Sequence, residues 1–300
     1  MKKPTPFPNE SLILTPEETT LLDRMQIGDR SNRKGAQYEK FFAIHQFLYH
    51  TQSLLRLGFN IQQVPEIIFS NCERAAVDDL CIISAVDGSR KNYQLKDSPK
   101  TGQWNGVLRK RFELQTKIDS QIHRCNSFWH TLVCSNEAVV SGNHSQMQKE
   151  NTKYRSLYYP SHATTAGMLN DDRTCLREFL LSVCSDVRQH HTALTCIGAV
   201  YTENTDFRKS LGDWWDAVIE LSRPNIFFIN QADIPSGIRA LLHQHHFSIT
   251  SDSISYGGLS FTLTAELLEN LRNPEVQAKL YRCTSGIELV DILFQYSSLA

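Results

Sequence analysis

A mixed α/β fold, a β-sheet flanked by helices, follows from three features of the sequence. Tyr38, Phe41, Phe42, His45 and Leu48 recur at helical spacing, which predicts a long amphipathic helix over 36–57. Two strand-like runs then flank Asp87-Gly88, the strongest short-range sign of a hairpin. A helical stretch at 105–122 precedes the apolar run Phe128-Trp-His-Thr-Leu-Val-Cys134, which reads as a buried strand. Helix, three strands, helix, strand is the order of a sheet covered by helices.

Taken in order, residues 1–14 are Pro-rich and read as irregular. Thr15-Pro16-Glu17-Glu18 offers an N-cap, a proline at the first helical position and a capping-box glutamate, so a helix runs to about Gln26. A polar break at 28–35 leads into the long helix, which Gly58 ends. Strand Val64–Ser70 and the hairpin at 79–96 follow, and residues 141–169 read as a polar, loop-rich connector. Beyond it, helices are expected at 171–188, 209–222, 234–244, 265–272, 275–282 and 286–296, with strands at 193–201 and 225–230. The implied division is a leading helix and linker (1–34), a sheet-bearing domain (35–140), the connector (141–169) and a second mixed α/β region (170–300) with an assembly or regulatory role.

The hairpin carries the chemistry. With Asp87-Gly88 as a two-residue turn, Val86 pairs with Ser89 and Asp79 stands opposite Lys96. Side chains alternate along a strand, so Gln94 and Lys96 share a face, and cross-strand pairing adds Asp79 to it. A carboxylate, an amide carbonyl and an ammonium brought together suit a divalent cation beside a phosphodiester. Hard cations take oxygen ligands, and a lysine orients water or offsets charge on the phosphate. Glu39 borders the apolar stripe of the long helix and points along the helix–sheet seam. The competing readings are an ordinary hairpin with an edge lysine that opposes aggregation, and a first-turn glutamate favoured by the helix dipole.

The net charge of −1 hides an asymmetry: residues 89–117 carry eight basic side chains against Asp97 and Glu113. Arg90, Lys91, Lys100, Arg109, Lys110 and Arg111 in this block suit a polyanion beside a metal site, while the alternative is a solvated helix face. Eight scattered cysteines without Cys-x-x-Cys spacing read as reduced thiols of a cytoplasmic protein and give no sign of zinc. No apolar run reaches the length of a membrane helix, and no secretory h-region is visible at the N-terminus.

Gly35-x-x-Tyr38-Glu39, Asp79 at the head of a strand and Gln94-x-Lys96 on the next together resemble the PD-(D/E)xK nuclease superfamily. The pattern Glu73…Asp78-Asp79-Leu80…Tyr93-Gln94-Leu95-Lys96 is most similar to the endonuclease domain of CD-NTase-associated anti-phage effectors, a domain type also found as the nuclease subunit of Lamassu-type systems. The resemblance covers residues 35–140, 106 of 300. It implies a restriction-endonuclease-like sheet and a cytoplasmic, Mg2+-dependent endonuclease, with Mn2+ as a substitute, acting on double-stranded DNA. It implies Asp79 as principal metal ligand, Lys96 as catalytic lysine, and Glu39 and Gln94 completing the site, with a partner such as an SMC-like ATPase complex and homo-oligomerisation as controls. Asp78 competes with Asp79 for the metal and Glu73 ranks last. Gln94 departs from the superfamily's usual acid; its neutral oxygen weakens metal affinity and favours one metal over two. The alternative is an inactive nuclease-fold subunit that acts through protein or nucleic-acid interaction.

Smaller signals have simpler explanations. His243-x-His245-His246 reads as a polar helix end rather than a metal site, and Trp214-Trp215 as core or subunit interface rather than a base-stacking platform. The chain contains neither a Gly-x-Ser-x-Gly elbow nor a phosphate-binding Gly-x-x-x-x-Gly-Lys loop.

Overall fold

The computed structural model describes residues 13–29, 36–57, 61, 67–71, 73–85, 87–98, 100–184, 186–203, 206–222, 226–227, 234–249 and 253–297. Helix α1 (Pro16–Asp29) opens with the expected capping box: Glu18 N donates to Thr15 Oγ1 and Thr15 N to the Glu18 carboxylate. Helix α2 (Ala36–Arg56) follows, then strands β1 (Ile67–Ser70), β2 (Leu80–Ser84) and β3 (Ser89–Lys96). Asn105 caps helix α3 (Gly106–Lys117) through the amides of Val107 and Leu108, and α3 runs into a π-helical turn, Ile118–Ile122. Strand β4 (Ser127–Cys134) lies parallel to β3.

The segment expected as a loop-rich connector is instead helix α4 (Glu137–Glu150), capped by Asn136, and strand β5 (Tyr154–Tyr158), which pairs in parallel with β4. Short helices α5 (Thr165–Leu169) and α6 (Leu176–Leu181) come next. The single helix expected at 171–188 is broken, because Cys175 takes a left-handed φ of 52° between a 3-10 turn and α6. Residues 193–201, expected as a strand, lie in helix α7 (His190–Thr202), where Ala193, Leu194, Ile197, Val200 and Tyr201 are buried at helical spacing. A short apolar run fits either period, and here length and packing favoured the helix. Strand β6 (Arg208–Ser210) and helix α8 (Leu211–Leu221) complete this part; the strand expected at 225–230 falls mainly outside the described residues.

The six strands form one mixed sheet in the order β5-β4-β3-β2-β1-β6. Leu80, Ile82, Tyr93, Leu95 and Phe69 belong to a core shared with α2, α6, α7 and α8. The other face carries Leu132 and Cys134, which pack with Leu108 and Phe112 of α3 and Met147 of α4. Trp214 and Trp215 are fully buried against Phe47, with ring centroids 4.1 and 4.8 Å away, so they are core. The expected boundary after residue 169 is therefore not where the core divides. Strand β6 pairs with β1, and the main core runs from Tyr38 to Phe227. A separate core spans Ile234 to Leu293, built from α9 (Ser236–Gln244), the small sheet of β7 (Ser248–Ile249), β8 (Ser253–Tyr256) and β9 (Leu259–Thr262), and helices α10 (Ala265–Arg272), α11 (Pro274–Leu280) and α12 (Gly286–Tyr296). Among the described residues no helix is long and apolar enough to cross a membrane.

The hairpin register differs from expectation by two residues. Ser84 pairs with Ser89 and Leu80 with Tyr93, so residue 79 falls opposite Gln94 rather than Lys96. A two-residue Asp-Gly turn needs positive φ at both positions, and of this pair only Gly88 has one, +62°. Asp87 instead accepts the Ser89 amide at 2.9 Å, and Asn126 Nδ2 donates to the Asp87 carbonyl at 2.9 Å. The shift is even, so every side chain keeps its predicted face.

Several histidines give the fold a pH dependence. Burial is the main cause that pushes His45, His50 and His123 down to about 4 and His130 to about 3, against an ordinary 6.5. Because these folded-state values are depressed, their stabilising contribution is complete above pH 6.5 and lost as pH falls towards 4. Asp119 opposes them: burial pushes it up to about 6, so it favours the folded state as pH falls through that value. Four groups outweigh one. The urea midpoint is expected to drop between pH 7 and pH 5, and a flat or rising midpoint would refute this balance.

Candidate functional site

Asp79 closes the head of β2 onto β3. Its Oδ2 accepts the Leu95 backbone amide and Gln94 Nε2, both at 2.5 Å. Gln94 is fully buried, and its Oε1 accepts from Arg111 Nη1 on α3 at 3.0 Å. The result is a relay, Arg111 to Gln94 to Asp79, on the sheet face that α3 covers. An amide must offer N–H to a carboxylate and C=O to a guanidinium, so these two partners set its orientation.

Lys96 ends β3 on the same face as Gln94, opposite Cys134 of β4, and is half-buried. Burial pushes the Cys134 thiol up to about 11, while the charge of Lys96 acts in the opposite direction, which places the ammonium in its neighbourhood. Asp79, Gln94 and Lys96 thus converge on one face, as alternation predicts.

Glu39 on α2 is half-buried, on the helix that packs against the other face of the sheet. The phenol of buried Tyr201 is shifted well above its ordinary value, first by burial and then by the charges of Glu39 and Asp79. Asn71, just past β1, donates to the Tyr201 hydroxyl at 3.5 Å and accepts the Phe207 amide at 2.8 Å. Tyr201 and Asn71 were missed in the sequence: Tyr201 sat in a segment with the wrong predicted period, and nothing local marks Asn71. Next to Glu39, half-buried Lys40 lies over Gly198 of α7, where a β-carbon would stand 2.5 Å from its Cε; burial lowers its pKa.

Glu73 faces elsewhere. It pairs with Arg208 at 2.9 Å and Arg90 at 3.6 Å; burial raises its carboxyl, but the two arginines outweigh it and the net shift is downward. Asp78 is buried beside Asp79.

The basic block does not form one continuous track. Arg90, expected to contact nucleic acid, is only 3% exposed and belongs to an internal network: Nε donates to Asn92 Oδ1 at 3.0 Å, and Asp119 lies 3.5 Å away. Its place on the inward face of β3 is the same alternation that aligns Gln94 and Lys96. Lys91 is half-buried on the opposite face, with burial and then Arg155 lowering its pKa. Arg109 is held by both carboxylate oxygens of Glu150. Arg111 serves Gln94, while Lys100 and Lys110 are exposed and face solvent.

The oxygen donors of Asp79, Gln94 and Glu39 suit a hard cation in type. In the observed orientation, however, Gln94 offers Asp79 an N–H rather than a second oxygen, and no group of three or more His, Cys, Asp or Glu side chains able to hold a metal occurs among the described residues. The set therefore fits a cation only with the Gln94 amide turned. His243, His245 and His246 lie at the end of α9, where backbone bonds from His245 to Leu241 and from His246 to His243 close the helix.

No protein-family model matches this chain, and no curated protein does. Two solved structures match, both of the Acinetobacter baumannii Cap4 SAVED/CARF-domain-containing receptor, one with the cyclic trinucleotide 3'3'3'-cAAA and one with 2'3'3'-cAAA. Each shares 10% identity at a TM-score of 0.35 and covers 63% of this chain and 46% of the receptor. The match thus spans less than half the length of the receptor, and at that identity and score it assigns no function.

Proposed function

We propose that this chain is a divalent-metal-dependent endonuclease for double-stranded DNA, serving as the nuclease of a bacterial anti-phage system under the control of a partner, such as an SMC-like ATPase complex, or of oligomerisation. The observation that carries the reading is the convergence of Asp79, Gln94 and Lys96 on one sheet face, with Asp79 tied to the Leu95 amide. That convergence is the arrangement the PD-(D/E)xK resemblance requires. Asp79, Gln94 with its amide turned, and Glu39 would hold magnesium or manganese, which when bound would polarise the phosphodiester and acidify a water. Lys96 supplies a compact positive charge for the phosphate as it gains charge. Exposed Lys100 and Lys110 supply backbone attraction without base readout.

One observation favours the alternative of an inactive nuclease-fold subunit. The Gln94 N–H and the Leu95 amide both donate to Asp79 Oδ2, so that oxygen is already engaged without a cation. Incubating supercoiled plasmid and linear duplex with the purified chain, alone and with its partner, separates the two. Cutting is expected with magnesium or manganese and none with chelator. Chelator-resistant cutting, or none under any of these conditions, would reject the nuclease reading.

A further inference from the structure

We propose that the strip of sheet from Lys91 on β3 across Trp129 on β4 to Arg155 on β5 binds single-stranded nucleic acid, independently of the Asp79 site on the opposite face. The register builds this strip. Lys91 pairs with Trp129, and Thr131 with Arg155, so the three side chains leave the sheet on the face of Tyr93. Tyr93 packs against Phe42 of α2, with ring centroids 5.1 Å apart. Helices α3 and α4 lie on the other face, against Leu132 and Cys134. Towards β5 the face of Tyr93 is open: Leu157 is 41% exposed, and Tyr49, on α2 at its margin, 46%. Burial raises the Tyr93 phenol most, and the charges of Arg155 and Tyr49 act on it next, so helix and edge strand contribute to one surface.

The cations of this surface lack matching anions. Lys91 is half-buried, and burial first and Arg155 second lower its pKa; the carboxylate acting against them is Asp87 in the hairpin turn, which accepts the Ser89 amide. Among the described residues neither Lys91 nor Arg155 makes a hydrogen bond or an ion pair. A half-buried ammonium beside a second cation is unfavourable, and an anion bound to both relieves it. The Arg155 guanidinium carbon lies 5.2 Å from the Trp129 ring centroid, within cation–π range, which positions the fork and leaves its N–H groups for a ligand. A guanidinium held in this way takes a phosphate through paired, charge-assisted bonds. Trp129 and Tyr49 add flat rings to the same surface. Cations interleaved with aromatic rings match a sugar–phosphate backbone whose bases are free to stack. A duplex keeps its bases stacked on one another, so it can use the charges but not the rings.

The test is fluorescence anisotropy of a short labelled oligothymidylate titrated with the full chain in chelator, a readout that does not depend on the nuclease reading. Lys91→Gln and Arg155→Gln are each expected to make the dependence of log K on log salt shallower by about 0.7, one phosphate contact apiece on a single strand. Tyr49→Ala and Trp129→Leu are each expected to weaken binding by about fivefold or more, the low end of one lost stacking contact. The same ring variants should bind heparin, a polyanion without bases, and a duplex within about twofold of wild type. Thermal unfolding checks each variant; Tyr49 is exposed, so Tyr49→Ala carries the test if Trp129→Leu does not fold. Lys149→Gln removes an exposed cation from α4 on the far face and should change binding by less than about twofold. Ring variants that lose heparin or duplex as strongly as oligothymidylate overturn the single-strand assignment. Unchanged oligothymidylate binding in the four strip variants, or an equal loss in Lys149→Gln, overturns the site.

Discussion

For the proposed nuclease, Lys96→Ala is expected to reduce DNA cleavage by about a thousandfold, roughly 4 kcal/mol of transition-state stabilisation, while leaving the protein folded. The size of the loss follows from what the side chain is positioned to do. In the proposed reaction charge accumulates on the phosphate oxygens as water attacks, and a half-buried lysine carried at the end of a strand needs little reorganisation to meet it. The retention of fold follows from its place in the sheet. Lys96 ends β3, and its backbone carbonyl, which accepts the Ser135 amide at 3.4 Å, does not depend on the side chain. Its neighbour Cys134 packs in the apolar cluster with Leu108, Phe112, Leu132 and Met147. Lys96→Arg tests geometry separately from charge, since the planar fork is not interchangeable with a compact ammonium. Single-turnover cleavage of a labelled duplex, alongside thermal unfolding, gives both readouts. Cleavage within tenfold of wild type for Lys96→Ala would remove this residue from the mechanism.

The second large effect is on stability. Arg90→Ala is expected to destabilise the fold by about 3–5 kcal/mol, the usual consequence of removing one partner from a buried ion pair. Arg90 is the positive centre of a closed network. It faces Asp119 Oδ1 at 3.5 Å and Glu73 Oε2 at 3.6 Å, and donates to Asn92 Oδ1 at 3.0 Å and towards Cys81 Sγ at 3.6 Å. Asn92 passes the network on to Asp119 Oδ2 at 2.6 Å, and Gln115 Nε2 donates to Asp119 Oδ1 at 2.9 Å while its Oε1 accepts the Ala76 amide at 2.7 Å. Burial already raises Asp119 against the pull of Arg90. Without the guanidinium, that carboxyl must take up a proton or remain as an unpaired buried charge. Arg90→Ala with Asp119→Asn should therefore recover part of the loss, the sign of direct coupling in a double-mutant cycle. Denaturant unfolding of the four proteins measures it. A loss below about 1 kcal/mol for Arg90→Ala would place the arginine among ordinary surface pairs.

The two predictions concern opposite ends of one face of β3. Arg90 and Asn92 are committed to holding β3 against the π-helical turn after α3, and only from Gln94 onwards does the same face reach the head of β2. A mutational survey that treated the whole basic block as surface contacts would read loss of fold at Arg90 as an effect of surface charge, which exposed Lys100 and Lys110 alone can report.

What the sequence by itself determined is local and periodic. The stripe from Tyr38 to Leu48 specified α2, Thr15 and Glu18 specified the start of α1, and the last three helices appeared close to where capping and periodicity put them. The alternation of β3 aligned Gln94 with Lys96, and that alignment survived a two-residue error in register because the side-chain period of a strand is two. Tertiary structure decided the rest. It set the hairpin register through the φ of Asp87 and the hold of Asn126 on the loop. It brought α7 and β6 into the same core as the sheet, and Tyr201 to a point where the fields of Glu39 and Asp79 meet. It buried Arg90 and turned Gln94 towards Asp79 by means of Arg111, seventeen residues away. Period and capping act over a few residues and can be read along the chain, whereas the partner of a buried charge or amide is chosen only when distant elements close on one another.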